Sequence, residues 1–112
     1  MIHIDMALDE AGLLMSCRVR GHAGAGLRGG DIVCAAVSVL LRTALRTLSE
    51  REGIIVRGGA PERGALWLET EYTGKGKDFL SAAGAFLMEG IKSVSEEYPD
   101  YCTLNIHTER RN

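Results

Sequence analysis

The residues of this 112-residue chain best suited to chemistry are His22 and Cys34, carried in Gly21-His22-Ala23 and Asp31-Ile32-Val33-Cys34-Ala35-Ala36-Val37-Ser38. A thiol attacks carbon as its thiolate, and a neighbouring imidazole or the amide end of a helix favours that ionised form. Asp31 reads as an N-cap, which places Cys34 at the third position of the helix, within reach of its unpaired amides. Those amides, near Ile32 to Cys34, are also suited to hold a developing oxyanion. Ser38 falls four residues on, over the same helical face as Cys34. His22 must fold back across a glycine stretch that includes Gly24, Gly26, Gly29 and Gly30 to act as base and then acid. Taken singly, each residue has an ordinary alternative. Cys34 fits a small buried hydrophobe, His22 a surface residue, Asp31 a simple cap, Ser38 a routine helix position, and the glycines a flexible connection.

The elements that must position these side chains follow from periodicity. Ile2, Ile4, Met6 and Leu8 alternate with polar or small residues, and Leu13, Met15, Cys17 and Val19 repeat the pattern after Asp9-Glu10-Ala11-Gly12, predicting a β-hairpin over about residues 1–20. Residues 21–30 read as irregular. From Ile32, the residues Val33, Ala36, Val37, Leu40, Leu41, Ala44, Leu45 and Leu48 mark one face of a helix that Gly53 closes as its C-cap. Ile54-Ile55-Val56 and Leu66 to Tyr72 read as two strands with a turn beginning at Gly58-Gly59-Ala60-Pro61. A second helix starts at Lys77 or Asp78, with Phe79, Ala83, Phe86, Leu87, Ile91, Val94 and Tyr98 toward the core, and Cys102, Leu104 and Ile106 alternate in a last strand. The order ββαββαβ predicts an α+β two-layer sandwich: a mainly antiparallel sheet with both helices on one face, forming a single domain over residues 1–112.

Composition narrows the classes. The chain is 46% hydrophobic and 25% charged, with a net charge of −2, so no basic face for nucleic acid is evident. Three cysteines, Cys17, Cys34 and Cys102, are too few and too widely spaced for a disulfide framework or a zinc pattern. No run approaches the length expected of a membrane span, the N-terminus lacks the layout of a signal peptide, and a reducing cytoplasm is the expectation. The polar Thr108-Glu109-Arg110-Arg111-Asn112 reads as a frayed tail.

Gly-His-Ala, the eight-residue gap ending in Asp, and Ile-Val-Cys-Ala-Ala-Val-Ser together resemble the signature of the ribosomal-processing cysteine protease family (Prp, YsxB-like), and the strand and helix order matches over nearly the whole chain. The resemblance implies a cysteine endopeptidase that removes the N-terminal extension of large-subunit ribosomal protein twenty-seven. Cys34 would be the nucleophile and His22 its base, with Asp31 and Ser38 in support and the glycine loop at Gly24, Gly26, Gly29 and Gly30 gating the substrate. It further implies a homodimer, an extended substrate with bulky apolar residues before the cut, and no metal, organic cofactor, nucleic acid or membrane. Where family members often carry an aromatic late in the loop, this chain has Leu27-Arg28. Two other readings are a non-catalytic ribosome-associated binding protein, using Arg42, Arg46 and Arg51, and a thiol redox sensor, which lacks a resolving cysteine near Cys34 in sequence.

Overall fold

A computed structural model of the chain describes residues 1–21, 28–62 and 64–112, with residues 28–30 in backbone only. Strands β1 (Ile2–Leu8) and β2 (Leu14–Arg20) form the expected hairpin. Helix α1 (Arg28–Ser49) leads to β3 (Ile54–Glu62) and β4 (Ala65–Tyr72), and a short 3₁₀ turn at Gly74–Gly76 precedes α2 (Lys77–Glu97) and β5 (Cys102–Thr108). The five strands lie in the order β3-β4-β2-β1-β5. Every pairing is antiparallel except that of β1 with β5. The two helices pack on each other and on one sheet face, giving the α+β sandwich anticipated from the element order.

The core lies between sheet and helices. Ile2, Ile4, Met6, Cys17, Val19, Leu68 and Cys102 meet Val33, Val37 and Leu41 of α1 and Leu87 and Ile91 of α2. A smaller cluster of Leu13, Leu48, Ile54 and Leu80 closes the far end. The opposite sheet face is polar. Arg18 pairs with Glu69 at 2.6 Å, and Arg20 with Asp5 and Arg57 with Glu71 at 3.7 Å, so its arginines are matched by carboxylates.

Five expectations change. First, α1 begins at Arg28, so Gly29 and Gly30 form its first turn, and Asp31 lies inside that turn and is not its cap. Burial of the Val33, Val37 and Leu41 face outweighs the roughly 1 kcal/mol per residue by which glycine disfavours a helix, and Asp31 complements the positive end of the helix dipole. Gly53, at φ +82°, sits four residues past the last helical residue, in the turn that starts β3 and not at a C-cap.

Second, β3 runs through Gly58, Gly59, Ala60 and Pro61, and the turn falls after Glu62, where Gly64 adopts φ +82°. A side chain at Gly58 would press on Leu45, and Gly59 lies beneath the Trp67 indole. A register shift between Gly59 and Glu62 absorbs the proline, which an edge strand tolerates.

Third, Phe86 is 76% exposed. The stripe of α2 that meets the sheet is Leu80, Gly84, Leu87 and Ile91. It centres on Gly84 because a Cβ there would stand 2.8 Å from Leu14 Cβ, and that close approach turns Phe86 outward.

Fourth, Asp31–Ser49 is long and apolar enough to cross a membrane by length and composition, with mean hydropathy 1.6. In the fold its Val33, Val37, Leu41 and Leu48 face the core, while Arg42 and Arg46 are exposed.

Fifth, the C-terminus is docked. A bulge in the β1–β2 ladder pairs Leu8 with Leu14 but Ala7 with Ser16. The Leu14 carbonyl there accepts the Thr70 hydroxyl at 2.6 Å and Arg111 Nη2 at 3.2 Å. Arg111 also donates through Nη1 to the Thr70 carbonyl and through Nε to Asp9 Oδ2 at 2.8 Å. Asp9 Oδ1 accepts the Ala11 and Leu13 amides, each at 2.9 Å.

The ion pair is enclosed, with side-chain exposures of 17% for Arg111 and 1% for Asp9. Burial opposes ionisation of Asp9, but the Arg111 hydrogen bond and the Leu13 and Ala11 amides outweigh it and hold its pKa below the ordinary value. Stability from this pair is therefore full above about pH 4, the unfolded carboxyl value, and is lost as pH falls through the lower folded value. Arg111→Ala leaves a buried carboxylate without its cation and is expected to cost about 3–5 kcal/mol. Urea titrations at neutral pH would measure this loss, and the gap in stability between wild type and variant should narrow as pH falls below about 4. A loss under about 1 kcal/mol would show the clip to be marginal.

Candidate active site

The three cysteines differ in what the fold does to them. Cys17 and Cys102 point into the core from β2 and β5, whereas Cys34 is half-buried on α1. Burial, and after it the Asp5 carboxylate, push the Cys17 thiol up to about 12, and burial raises Cys102 as well. Both therefore stay protonated and unreactive near neutral pH. Cys34 packs at the margin of the main core cluster, which also takes in Tyr98 and Tyr101 from the α2–β5 connection. Ser38, one turn on, is half-buried, and Asp31 is exposed.

Because α1 starts at Arg28, Cys34 is its seventh residue and lies in the second turn. Its sulfur-bearing residue is thus about 9 Å along the axis from the helix start. The amides of Ile32, Val33 and Cys34 face the carbonyls of Arg28, Gly29 and Gly30, four residues back. The oxyanion donors expected at Ile32 to Cys34 are therefore committed to the helix in this structure. The free amides of α1 belong to residues up to Gly30, and the dipole acts mainly over that first turn. The helix end thus contributes less to ionising Cys34 than its expected third position implied.

His22, Gly24 and Gly26 lie outside the described residues. Gly21, the residue before His22, has φ +105° and donates its amide to the Gly64 carbonyl at 2.9 Å. The other two histidines are engaged elsewhere: His3 Nδ1 lies 3.1 Å from Thr103 Oγ1, and His107 Nε2 lies 2.8 Å from Glu109 Oε1. Sequence reasoning missed the neighbours of Gly21, Met1 and Gly64, since neither spacing nor periodicity relates residues so far apart in the chain. A cleft of about 900 Å³ near Met15, Glu69, Tyr72 and Arg111 includes none of Gly21, Asp31, Cys34 or Ser38 in its walls.

A two-layer α+β domain whose one accessible thiol sits early on its first helix, two strands after the N-terminus, has the layout of a thiol peptidase. The family model described as Cysteine protease Prp matches residues 1–103, and the chain belongs to that family of cysteine proteases. The docked Arg111 falls beyond the matched region. The structure is similar to that of SMU.848 from Streptococcus mutans, with 28% identity, a TM-score of 0.81, and 97% and 96% of the two chains covered. It also shares its fold with an essential ribosomal processing protease Prp from S. aureus. The complex of that protein with a substrate peptide gives 20% identity, a TM-score of 0.79, and 95% and 99% coverage. Its complex with a covalently linked product peptide gives 21%, 0.78, and the same coverage. No curated protein sequence matches this one.

Proposed function

We propose that this protease removes the N-terminal extension of large-subunit ribosomal protein twenty-seven, with Cys34 as nucleophile and His22 as its base. The observation that carries the reading is the family match over residues 1–103 joined to the fate of the three thiols: two are sealed in the core and Cys34 is left accessible. The ribosomal substrate is suggested by the S. aureus protein of the same fold, described as a ribosomal processing protease.

In this mechanism an extended peptide lies over the start of α1. The Cys34 thiolate attacks the scissile carbonyl and forms a tetrahedral oxyanion. Collapse expels the amine, which takes its proton from the His22 imidazolium, and leaves a thioester on Cys34. Water, deprotonated by His22, then hydrolyses the thioester and returns the thiol. Asp31 and Ser38 act as supporting residues, and Gly24 and Gly26 take part in gating entry, whereas Gly29 and Gly30 belong to the first turn of α1 and not to a gating loop. The step needs no metal or organic cofactor, and the site of action is the cytoplasm. Mass spectrometry of the purified ribosomal protein incubated with the enzyme tests the reading. Loss of a discrete N-terminal segment is expected, and an unchanged mass would reject this substrate.

The rival reading as a ribosome-associated binding protein draws on Arg42, Arg46 and Arg51. The Arg51 guanidinium lies over the Phe79 ring, 3.7 Å from its centroid, and so is not presented freely to phosphates.

A homodimer belongs to the same proposal. Of the small-residue run Ser81-Ala82-Ala83-Gly84-Ala85, Gly84 is used within the chain against Leu14, while Ser81, Ala82 and Ala85 are exposed. Phe86, Val39 and Ile32 add exposed apolar surface on the two helices. Phe86→Asp is expected to shift the sedimenting species from dimer to monomer, and an unchanged dimer would move the contact off this face.

A further inference from the structure

The backbone at Gly21 joins two features that its sequence neighbours do not explain. Its φ of +105° lies where L side chains are rarely accommodated. A Cβ built there would also overlap the carbonyl oxygen of Met1, nearer than real Cβ atoms come, with Met1 C at 3.5 Å and Ile2 Cα at 3.7 Å. The Gly21 amide is meanwhile tied to the Gly64 carbonyl in the β3–β4 turn, itself at φ +82°. Two separate chain segments therefore clamp this residue, from the N-terminus and from the adjoining turn.

A side chain at Gly21 forces one partner to yield. The N-terminal strand cannot yield easily. The Ile2 amide donates to the Tyr101 carbonyl at 2.9 Å, Ile2 is paired with Cys102 of β5, and its side chain is 1% exposed in the core. With β1 held in this way, relief comes from the backbone dihedrals of Gly21 itself. A change in φ at Gly21 redirects the chain that follows it, and the next residue is His22.

We infer that Gly21 is a positioning residue: clamped between Met1 and Gly64 in a conformation only glycine accepts, it sets the direction in which His22 is delivered to Cys34. This inference rests on the proposed role of His22. A misplacement of about 1 Å at a proton-transferring group lowers rates about 100-fold, which is the effect expected of Gly21→Ala. Gly12 supplies the control. Its φ is +83°, but a Cβ there meets nothing within 4 Å, and it lies in the β1–β2 turn. Gly12→Ala thus incurs similar backbone strain without the clash and away from the site.

The experiment compares wild type, Gly12→Ala, Gly21→Ala and His22→Ala in cleavage of an extension peptide and in the pH dependence of Cys34 alkylation by iodoacetamide. Gly21→Ala is expected to lose about 100-fold in kcat with KM little changed and to give the alkylation profile of His22→Ala, while Gly12→Ala stays within about threefold of wild type. A Gly21→Ala enzyme as active as Gly12→Ala overturns the inference. A fourth chain guards against a variant that does not fold. With Gly21→D-alanine, introduced by ligating a synthetic 1–33 segment to Cys34, position 21 accepts a positive φ and its methyl projects away from the Met1 side. That chain should retain cleavage, and a folded D-alanine chain without activity also overturns the inference. If His22→Ala itself cleaves normally, the base assignment fails, which is a separate result from failure at Gly21.

Discussion

Cys34→Ala is expected to abolish cleavage, lowering kcat/KM by about 10⁵-fold or more, because the thiolate that forms the acyl bond is lost. The same variant should fold normally. Cys34 is half-buried at the margin of the core, so exchanging its sulfur for hydrogen leaves no enclosed cavity, and thermal unfolding should shift by only a few degrees. Peptide binding, followed by fluorescence anisotropy with a labelled extension peptide, should persist within a few-fold. The prediction discriminates because the protein has two further thiols. Cys17 and Cys102 are held protonated by burial, so neither can substitute at neutral pH. Measurable turnover by Cys34→Ala, above a preparation treated with iodoacetamide, would remove the nucleophile assignment.

His22→Ala is expected to lower the rate about 10³- to 10⁴-fold. The placement of α1 makes this expectation stronger than the motif does. With Cys34 in the second turn, the helix dipole, which acts mainly over the first turn, reaches it less than it would reach a third-position residue. Without the imidazole, alkylation of Cys34 by iodoacetamide at neutral pH should slow relative to wild type, and its pH profile should change. His3→Ala and His107→Ala should behave as wild type, since one ring lies against Thr103 and the other against Glu109. Superimposable alkylation profiles for wild type and His22→Ala would show that the imidazole does not share the thiol's proton.

Much of the architecture is legible in the residues. Period-two alternation in Ile2–Leu8 and Cys102–Thr108 survives as buried and exposed strand faces, and the apolar spacing of Val33, Val37 and Leu41 survives as the core face of α1. These signals are local and repeated, so many residues state the same thing. The misread positions are those where a single distant contact decides. Phe86 is apolar at a plausible spacing, yet Gly84 sets which stripe of α2 meets the sheet, because Leu14 comes within reach only of a residue without a side chain. Gly58 to Pro61 read as a turn, yet Leu45 and Trp67 need the small residues there and keep them in β3. Arg111 sits in a polar tail, yet the bulge at Leu14 and the enclosed Asp9 supply acceptors that no local pattern announces.

The same division holds for the candidate site. From residue types and spacing come Cys34 and His22 as candidates for chemistry and the α+β order of elements, because reactive side chains and periodic core faces are properties of the chain itself, while the kinship to cysteine proteases is carried by the resemblance of the Gly-His-Ala and Asp-to-Ser words to the family signature. Only the tertiary structure decides which cysteine is chemically available, where along α1 it lies, and why the residue before His22 is glycine. Those outcomes depend on burial of Cys17 and Cys102, on helix formation reaching back to Arg28, and on Met1 and Gly64 meeting Gly21 from the strands on either side of β2.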